Sequence, residues 1–267
     1  MATDRFDPVV TPGEVDGERA GRAEPLEKAA VGDRAVGWFG LLVFVLGFVT
    51  GLVASVVFGA VVVSVRHGGD IESEGLDITA AAGLGLWVGF LVVPLGVQRV
   101  RGWPGWLALR WRPKVDVVLG LAVGLSSAIV VGVVTQLVLT RTQRTELAGK
   151  AEDVIGKDRS PVLAVVLLLL LCVGTPLAEE VFFRGLLFRS LARLVPAPFA
   201  VLPSAIAFGL VHYSGGAAPV VASQLGLLTA FGAALCVLTW STGRLGAAIM
   251  AHAAFNLVTV VTVLVGV

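Results

Sequence analysis

Residues 35–65, AVGWFGLLVFVLGFVTGLVASVVFGAVVVSV, run for thirty-one positions without an Asp, Glu, Lys, Arg or His. A helix needs about 20 apolar residues to cross a hydrocarbon core about 30 Å thick. This run is long enough with residues to spare. A lone strand in lipid would leave its backbone N–H and C=O groups unpaired, so the run reads as a helix.

The same reading extends outward along the chain. Further charge-free stretches cover 78–98, 117–140, 160–178, 194–243 and 245–267. The fifty-residue stretch holds two crossings, divided at Ser214-Gly215-Gly216-Ala217-Ala218-Pro219, a turn-forming cluster. The stretch 160–178 is barely long enough for one. The fold class that follows is all-α: a polytopic transmembrane helical bundle of about seven spans, within a range of roughly six to eight. Composition agrees. Hydrophobic residues make up 56% of the chain and charged residues 15%, with a mean hydropathy of +0.90. A soluble domain carries about a quarter charged residues. A net charge of +1 gives no electrostatic case for nucleic acid as a partner. Cys172 and Cys236 lie inside apolar runs and read as small buried hydrophobes, not as a disulfide pair or a metal knuckle.

Residues 1–34 differ from everything after them. Eight acids, five bases, three prolines and few large apolar residues give them the composition of a disordered tail. The apolar run that follows is too long for the core of a secretory signal, so it reads as a retained first span. Residues 35–159 are then transmembrane helices with their loops, and residues 160–267 hold the unusual polar groups.

Orientation follows from Lys and Arg in short loops. Arg99, Arg101, Arg110, Arg112 and Lys114 face no acid in the segment 99–114, and Trp103, Trp106 and Trp111 sit among them as interface anchors. The segment 66–77 has one Arg and four acids. This places the N-terminus, the 99–114 loop, Arg189, Arg193 and Arg244 inside, with the turn 214–219 outside. The loop 141–159 falls outside on this count although it holds five bases beside four acids. The expected location is a bacterial-type plasma membrane, multi-pass, with a cytoplasmic N-terminus.

Beyond Asp158 the chain holds only two carboxylates, the adjacent Glu179 and Glu180. An ionisable group at the centre of a membrane helix costs about 2.5 kcal/mol or more, and such groups face cavities or one another. The bland alternative, a pair at the headgroups, conflicts with the apolar residues that follow: Val181, Phe182, Phe183, Leu186, Leu187 and Phe188. Thr175-Pro176 reads as an N-cap with proline at the first helical position, or as a kink. Four residues apart on a helix, Glu180 and Arg184 form an ion pair. Glu179, roughly 140° around from Arg184, is left available for chemistry. His67 lies in a polar loop and reads as solvated. His212 has no charged residue within eighteen positions on either side, and His252 and Asn256 share one helix face near the middle of the last span. One membrane histidine is easily a packing residue. Two histidines, an Asn and an acid pair on successive helices read as a site built in a bundle interior.

Three segments carry a family resemblance: Glu179-Glu180-Val-Phe-Phe-Arg184, Phe208-Gly-Leu-Val-His212 and His252-Ala-Ala-Phe-Asn256. In this order, on consecutive membrane helices, they resemble the CAAX protease and bacteriocin-processing (Abi, type II CAAX prenyl endopeptidase-like) family of intramembrane peptidases. The resemblance covers roughly residues 160–260. It implies hydrolysis of a peptide bond in a membrane-associated or lipid-anchored substrate. Glu179 and His212 would activate a water, His252 and Asn256 would hold the oxyanion, and Glu180, Arg184 and Phe208 would support them. A carboxylate withdrawn from water suits a general base, and a pre-placed imidazole and amide suit a developing oxyanion. None of the three segments contains a Ser, Cys or Thr as a covalent nucleophile.

Members of this family have also been called metalloproteases. Glu179, His212 and His252 are donor types that Zn²⁺ accepts, although the spacing His-Glu-x-x-His is absent. The expectation is a metal-independent glutamate peptidase without a cofactor, with Zn²⁺ as the open alternative. Two other function classes compete: a transporter with a Glu/His proton or ion relay, and a non-catalytic membrane scaffold. A transporter with inverted repeats would show paired halves, and the polar residues here fall in one block.

Overall fold

The computed structural model describes residues 34–70, 76–103, 105–155, 165–166 and 168–265. The expected disordered tail lies outside these residues, apart from Arg34, as do Lys157, Asp158 and Arg159. Eight helices are ordered along the described chain. Helix α1 spans Arg34–Arg66. Helix α2 runs through Leu76–Trp87, Val88–Val92 and Val93–Arg101, and α3 spans Pro113–Val138. Helix α4 is Arg141–Ile155. Helix α5 is assembled from Leu170–Gly174, Thr175–Glu179, Glu180–Phe188 and Arg189–Leu191. Helices α6, α7 and α8 are Ala197–Leu210, Ala218–Thr242 and Gly246–Val265.

Five of these (α1, α2, α3, α7 and α8) are long and apolar enough to cross a membrane. With α5 and the shorter apolar α6 the bundle comes to about seven spans. Helix α4 is polar and not a span. Outward faces are apolar: Leu42, Val49, Val56, Val118, Ile129 and Leu137 are all exposed. A water-soluble surface does not carry so continuous an apolar face. Lipid is its solvent.

Small residues bring the helices together, since lipid gives apolar side chains little reason to prefer one another. At the crossing of α1 and α2, a Cβ on Gly89 would collide with Gly47 and Gly51. Gly120 and Gly124, spaced as GxxxG, seat α3 on α8. A Cβ on either would meet the backbone of Ala247 or Ala251.

Polar contacts fix the two ends of the bundle. At one end Arg244 bonds the fully buried Asp116 through Nη2 at 2.7 Å and Nε at 2.8 Å. Arg189 Nε donates to Trp106 O at 2.9 Å, and Leu245 N to Ala108 O at 3.1 Å. At the other end Lys150 donates to Gly215 O, and Ala217 N donates to Glu146 Oε1 at 2.9 Å. The loop 103–112 therefore lies with Arg189 and Arg244, and α4 lies with the turn after α6. Two local expectations are corrected. Trp106 is 4% exposed and packs edge-on against Trp103, so it is core, not an interface anchor. His67 is not merely solvated: its Nε2 stands 3.1 Å from Asp77 Oδ2, closing the turn between α1 and α2.

Candidate active site

The acid pair owes its position to the residues just after it. Phe182 and Phe183 are fully buried. The Phe182 ring stacks on Phe90 of α2 at 4.1 Å and on Phe44 of α1 at 4.5 Å, while Phe183 meets Phe208 of α6 edge-on at 5.4 Å. These rings lock α5 at mid-bundle, one turn from Glu179 and Glu180.

Thr175-Pro176 does not begin the helix. Helix α5 runs straight through it, and no side chain caps its Thr175–Glu179 piece. The turn before it is widened to π geometry over Leu170–Gly174, so that Thr175 N–H reaches back to Leu170 O. Pro176 has no N–H to offer the next carbonyl in that pattern, Leu171 O. Asn256 of α8 supplies the missing donor, with Nδ2 2.7 Å from Leu171 O. A proline that looks like a helix start instead opens an acceptor for a candidate site residue.

His212 is held by a similar vacancy. Helix α6 ends at Leu210, and His212 N–H turns to Gly209 O at 3.1 Å. The Phe208 carbonyl, one of the acceptors a helix end leaves over, takes the His212 ring instead, with Nδ1 at 2.7 Å. A carbonyl only accepts, so Nδ1 carries the proton and the lone pair of a neutral ring sits on Nε2. That Nε2 stands 3.8 Å from Glu179 Oε2.

His252 approaches the same oxygen from α8, its Nε2 also 3.8 Å from Glu179 Oε2. Its other nitrogen, Nδ1, is 2.8 Å from Glu180 Oε1. The same Oε1 accepts from Arg184 Nη1 at 2.9 Å. The Glu180–Arg184 pair was legible from its spacing; the Glu180–His252 contact, between residues 72 positions apart, was not. Glu180 and Arg184 have no exposure, and His252 has 3%. Arg184 is further held by Gly232 O at 3.1 Å and lies over the Phe208 ring at 4.2 Å. Phe208 also stacks at a tilt on His212 and meets His252 edge-on. It packs against the buried cation and both imidazoles.

All four residues expected to do chemistry, Glu179, His212, His252 and Asn256, line one cavity of about 400 Å³. Thr175, Ser214, Gln224, Leu147 and Lys150 contribute to its walls. Gln224 holds the His212 carbonyl at 3.0 Å and takes a bond from Ser214. Sequence reasoning singled out neither of these, nor Lys150; nothing in their local spacing distinguishes them. Glu179 Oε2 is buried and has no hydrogen-bond partner in the protein. An acceptor in that condition is costly unless something else fills the gap. The 3.8 Å separations from two imidazole nitrogens are too long for direct hydrogen bonds and suit one shared water. Among the described residues no group of three His, Cys, Asp or Glu side chains is gathered as a metal ion would need.

Residues 161–258 match the family model described as Type II CAAX prenyl endopeptidase Rce1-like, bearing out the resemblance carried by the three motifs. The match holds every residue of the acid pair, the two histidines and Asn256, and it leaves α1 to α4 outside. No curated protein and no solved structure matches the chain.

Proposed function

We propose, from this match and this geometry, that the protein is an intramembrane endopeptidase that cleaves a peptide bond in a membrane-associated or lipid-anchored substrate. One observation carries the reading: a buried, unpartnered carboxylate oxygen on Glu179 faced by two imidazole Nε2 atoms at 3.8 Å each.

The chemistry follows from the hydrogen bonds. A water between Glu179 Oε2 and His212 Nε2 gives a proton to one of them as it attacks the carbonyl carbon. The other His212 nitrogen is held by a backbone carbonyl, which fixes the ring for that task. Asn256 spends one N–H on Leu171 O and keeps the second for the oxyanion. His252 can donate from Nε2 only when both of its nitrogens are protonated, because Nδ1–H is committed to Glu180. The proton that Glu179 takes from the water can pass on to His252 Nε2, 3.8 Å away, and Glu180 then balances the charge of the imidazolium so formed beside the oxyanion. The carbonyl–imidazole and carboxylate–imidazole pairs are prepared before substrate arrives, which is where electrostatic catalysis gains most.

No step in this scheme is routed through a metal, and the test follows from that. Cleavage of a membrane-anchored reporter peptide by the purified protein in liposomes should persist in a strong chelator and disappear in Glu179→Ala. Activity lost to chelator and restored by Zn²⁺ would overturn the scheme and make Glu179, His212 and His252 ligands. Zn²⁺ accepts such donors with one position open for water.

A further inference from the structure

A second cavity, of about 520 Å³, lies beside the first, between α3, α4 and α8. Leu147 and Thr259 line both, so one thin wall of two side chains separates them. Phe255, on α8 one residue before Asn256, forms part of its floor, and Val131 and Val258 add apolar surface. Its walls are not purely hydrocarbon, however. Thr135 and Gln136 of α3 contribute polar groups, and Thr135 Oγ1 is buried without a hydrogen-bond partner in the protein. Helix α4 is pinned above by Arg144, whose Nη1 donates to Gln136 O at 3.1 Å and Leu139 O at 2.7 Å.

We infer that this second cavity is a peptide subsite: it receives, in extended form, the substrate residues that flank the scissile bond. The inference rests on the peptidase reading above. Continuity decides the occupant. A peptide whose carbonyl lies at Glu179 must leave the first cavity somewhere, and an extended chain covers about 3.3 Å with each residue. Crossing the Leu147–Thr259 wall takes only a few residues. The polar atoms decide against a lipid tail. A buried hydroxyl facing hydrocarbon loses its hydrogen bond, whereas a peptide N–H or C=O restores it. Apolar side chains of the substrate would rest on Val131, Phe255 and Val258 while its backbone meets Thr135.

Gly132 offers a clean test. A Cβ there meets nothing within 4 Å, yet the residue lines the cavity, so Gly132→Trp should fill the subsite without disturbing the bundle. Two reporters would be used with the full-length protein in liposomes: a short one confined to the first cavity and a longer one reaching across the wall. Gly132→Trp should raise KM for the long reporter by about tenfold or more, the scale of losing one apolar subsite contact, and leave the short reporter unchanged. Thr135→Val should act in the same direction. Equal KM values for wild type and Gly132→Trp on the long reporter would overturn the subsite. A parallel measurement separates this from failure of the peptidase reading. In Glu179→Gln, cysteines placed at Gly132 and at Thr175 would be tested for crosslinking to an apolar peptide and to a fatty acid, each carrying a photoreactive group. Peptide captured at both positions supports the subsite. Capture at Thr175 alone, or of the fatty acid alone at Gly132, refutes it, and peptide at neither position refutes the underlying reading as well.

Discussion

Glu179 and Glu180 are chemically identical neighbours, each with one buried oxygen that has no hydrogen-bond partner in the protein. Only Glu180 is bonded through its other oxygen to two cationic side-chain types. Glu180 Oε1 accepts from Arg184 and His252 inside a shell without solvent, and Glu179 Oε2 accepts from nothing in the protein. Removing one partner of a buried ion pair leaves the other charge uncompensated and costs about 3–5 kcal/mol. Glu180→Gln should therefore lower unfolding free energy by about that amount, read as a loss of thermal stability in detergent. Glu179→Gln should retain wild-type stability while reporter cleavage falls at least about 10²-fold, the contribution of a lost general base. A stable Glu180→Gln beside an unfolding Glu179→Gln would reverse the assignment. Asn256→Ala should slow cleavage by about 10²–10³-fold, the usual effect of one lost oxyanion donor, and leave Leu171 O without its donor.

Helix α3 shows what packing adds to a hydrophobic run. Gly120 and Gly124 meet α8 at backbone contact, whereas Gly132, two to three turns further on, faces open space. Gly124→Leu should cost about 1–3 kcal/mol or more by overpacking, and Gly132→Leu should be tolerated. Thermal unfolding of the two variants compares one substitution at two places on one helix; equal losses would mean that α3 does not seat on α8 through its small residues. The spans themselves were legible because bilayer thickness sets a length, and length survives in a bare sequence. Registers between helices leave no such trace. The Gly120–Gly124 spacing looks the same whether or not a partner lies against it. Pro176 fits a helix start and a widened mid-helix turn equally well, and only Asn256, donating to Leu171 O, tells them apart. The four candidate residues could be named from their types in lipid. The Glu180–His252 bond could not, because it joins α5 to α8 and has no local periodicity.

For the whole molecule, the contacts at the two ends reduce orientation to a single choice. Asp116 is bonded to Arg244 and Arg189 to Trp106 at one end, and Glu146 and Lys150 to the turn 213–217 at the other, where the candidate-site cavity has its Ser214 and Lys150 wall. No loop can change sides without carrying its end with it. The bases of the loop 141–159 conflict with an outside location when that loop is counted alone. Counted with its end, two of those charges are already engaged: Lys150 with Gly215 O and Arg144 with carbonyls of α3. The end with Arg99, Arg101, Arg110, Arg112, Lys114, Arg189, Arg193 and Arg244 carries the larger basic excess, which favours its cytoplasmic placement. Cysteines introduced one at a time at Asp70 and Tyr213 should then react with an impermeant thiol reagent applied to intact cells, and cysteines at Lys114 and Arg112 should react only after lysis. Asp70 lies beyond the end of α1, so it tests the outside assignment independently of the cavity wall. The opposite pattern at all four positions would invert the protein and turn the Glu179 cavity toward the cytoplasm, without altering the proposed site. A mixed pattern, with Asp70 and Tyr213 on different sides, would contradict the seven-span bundle itself, because α2, α3, α5 and α6 place an even number of crossings between them.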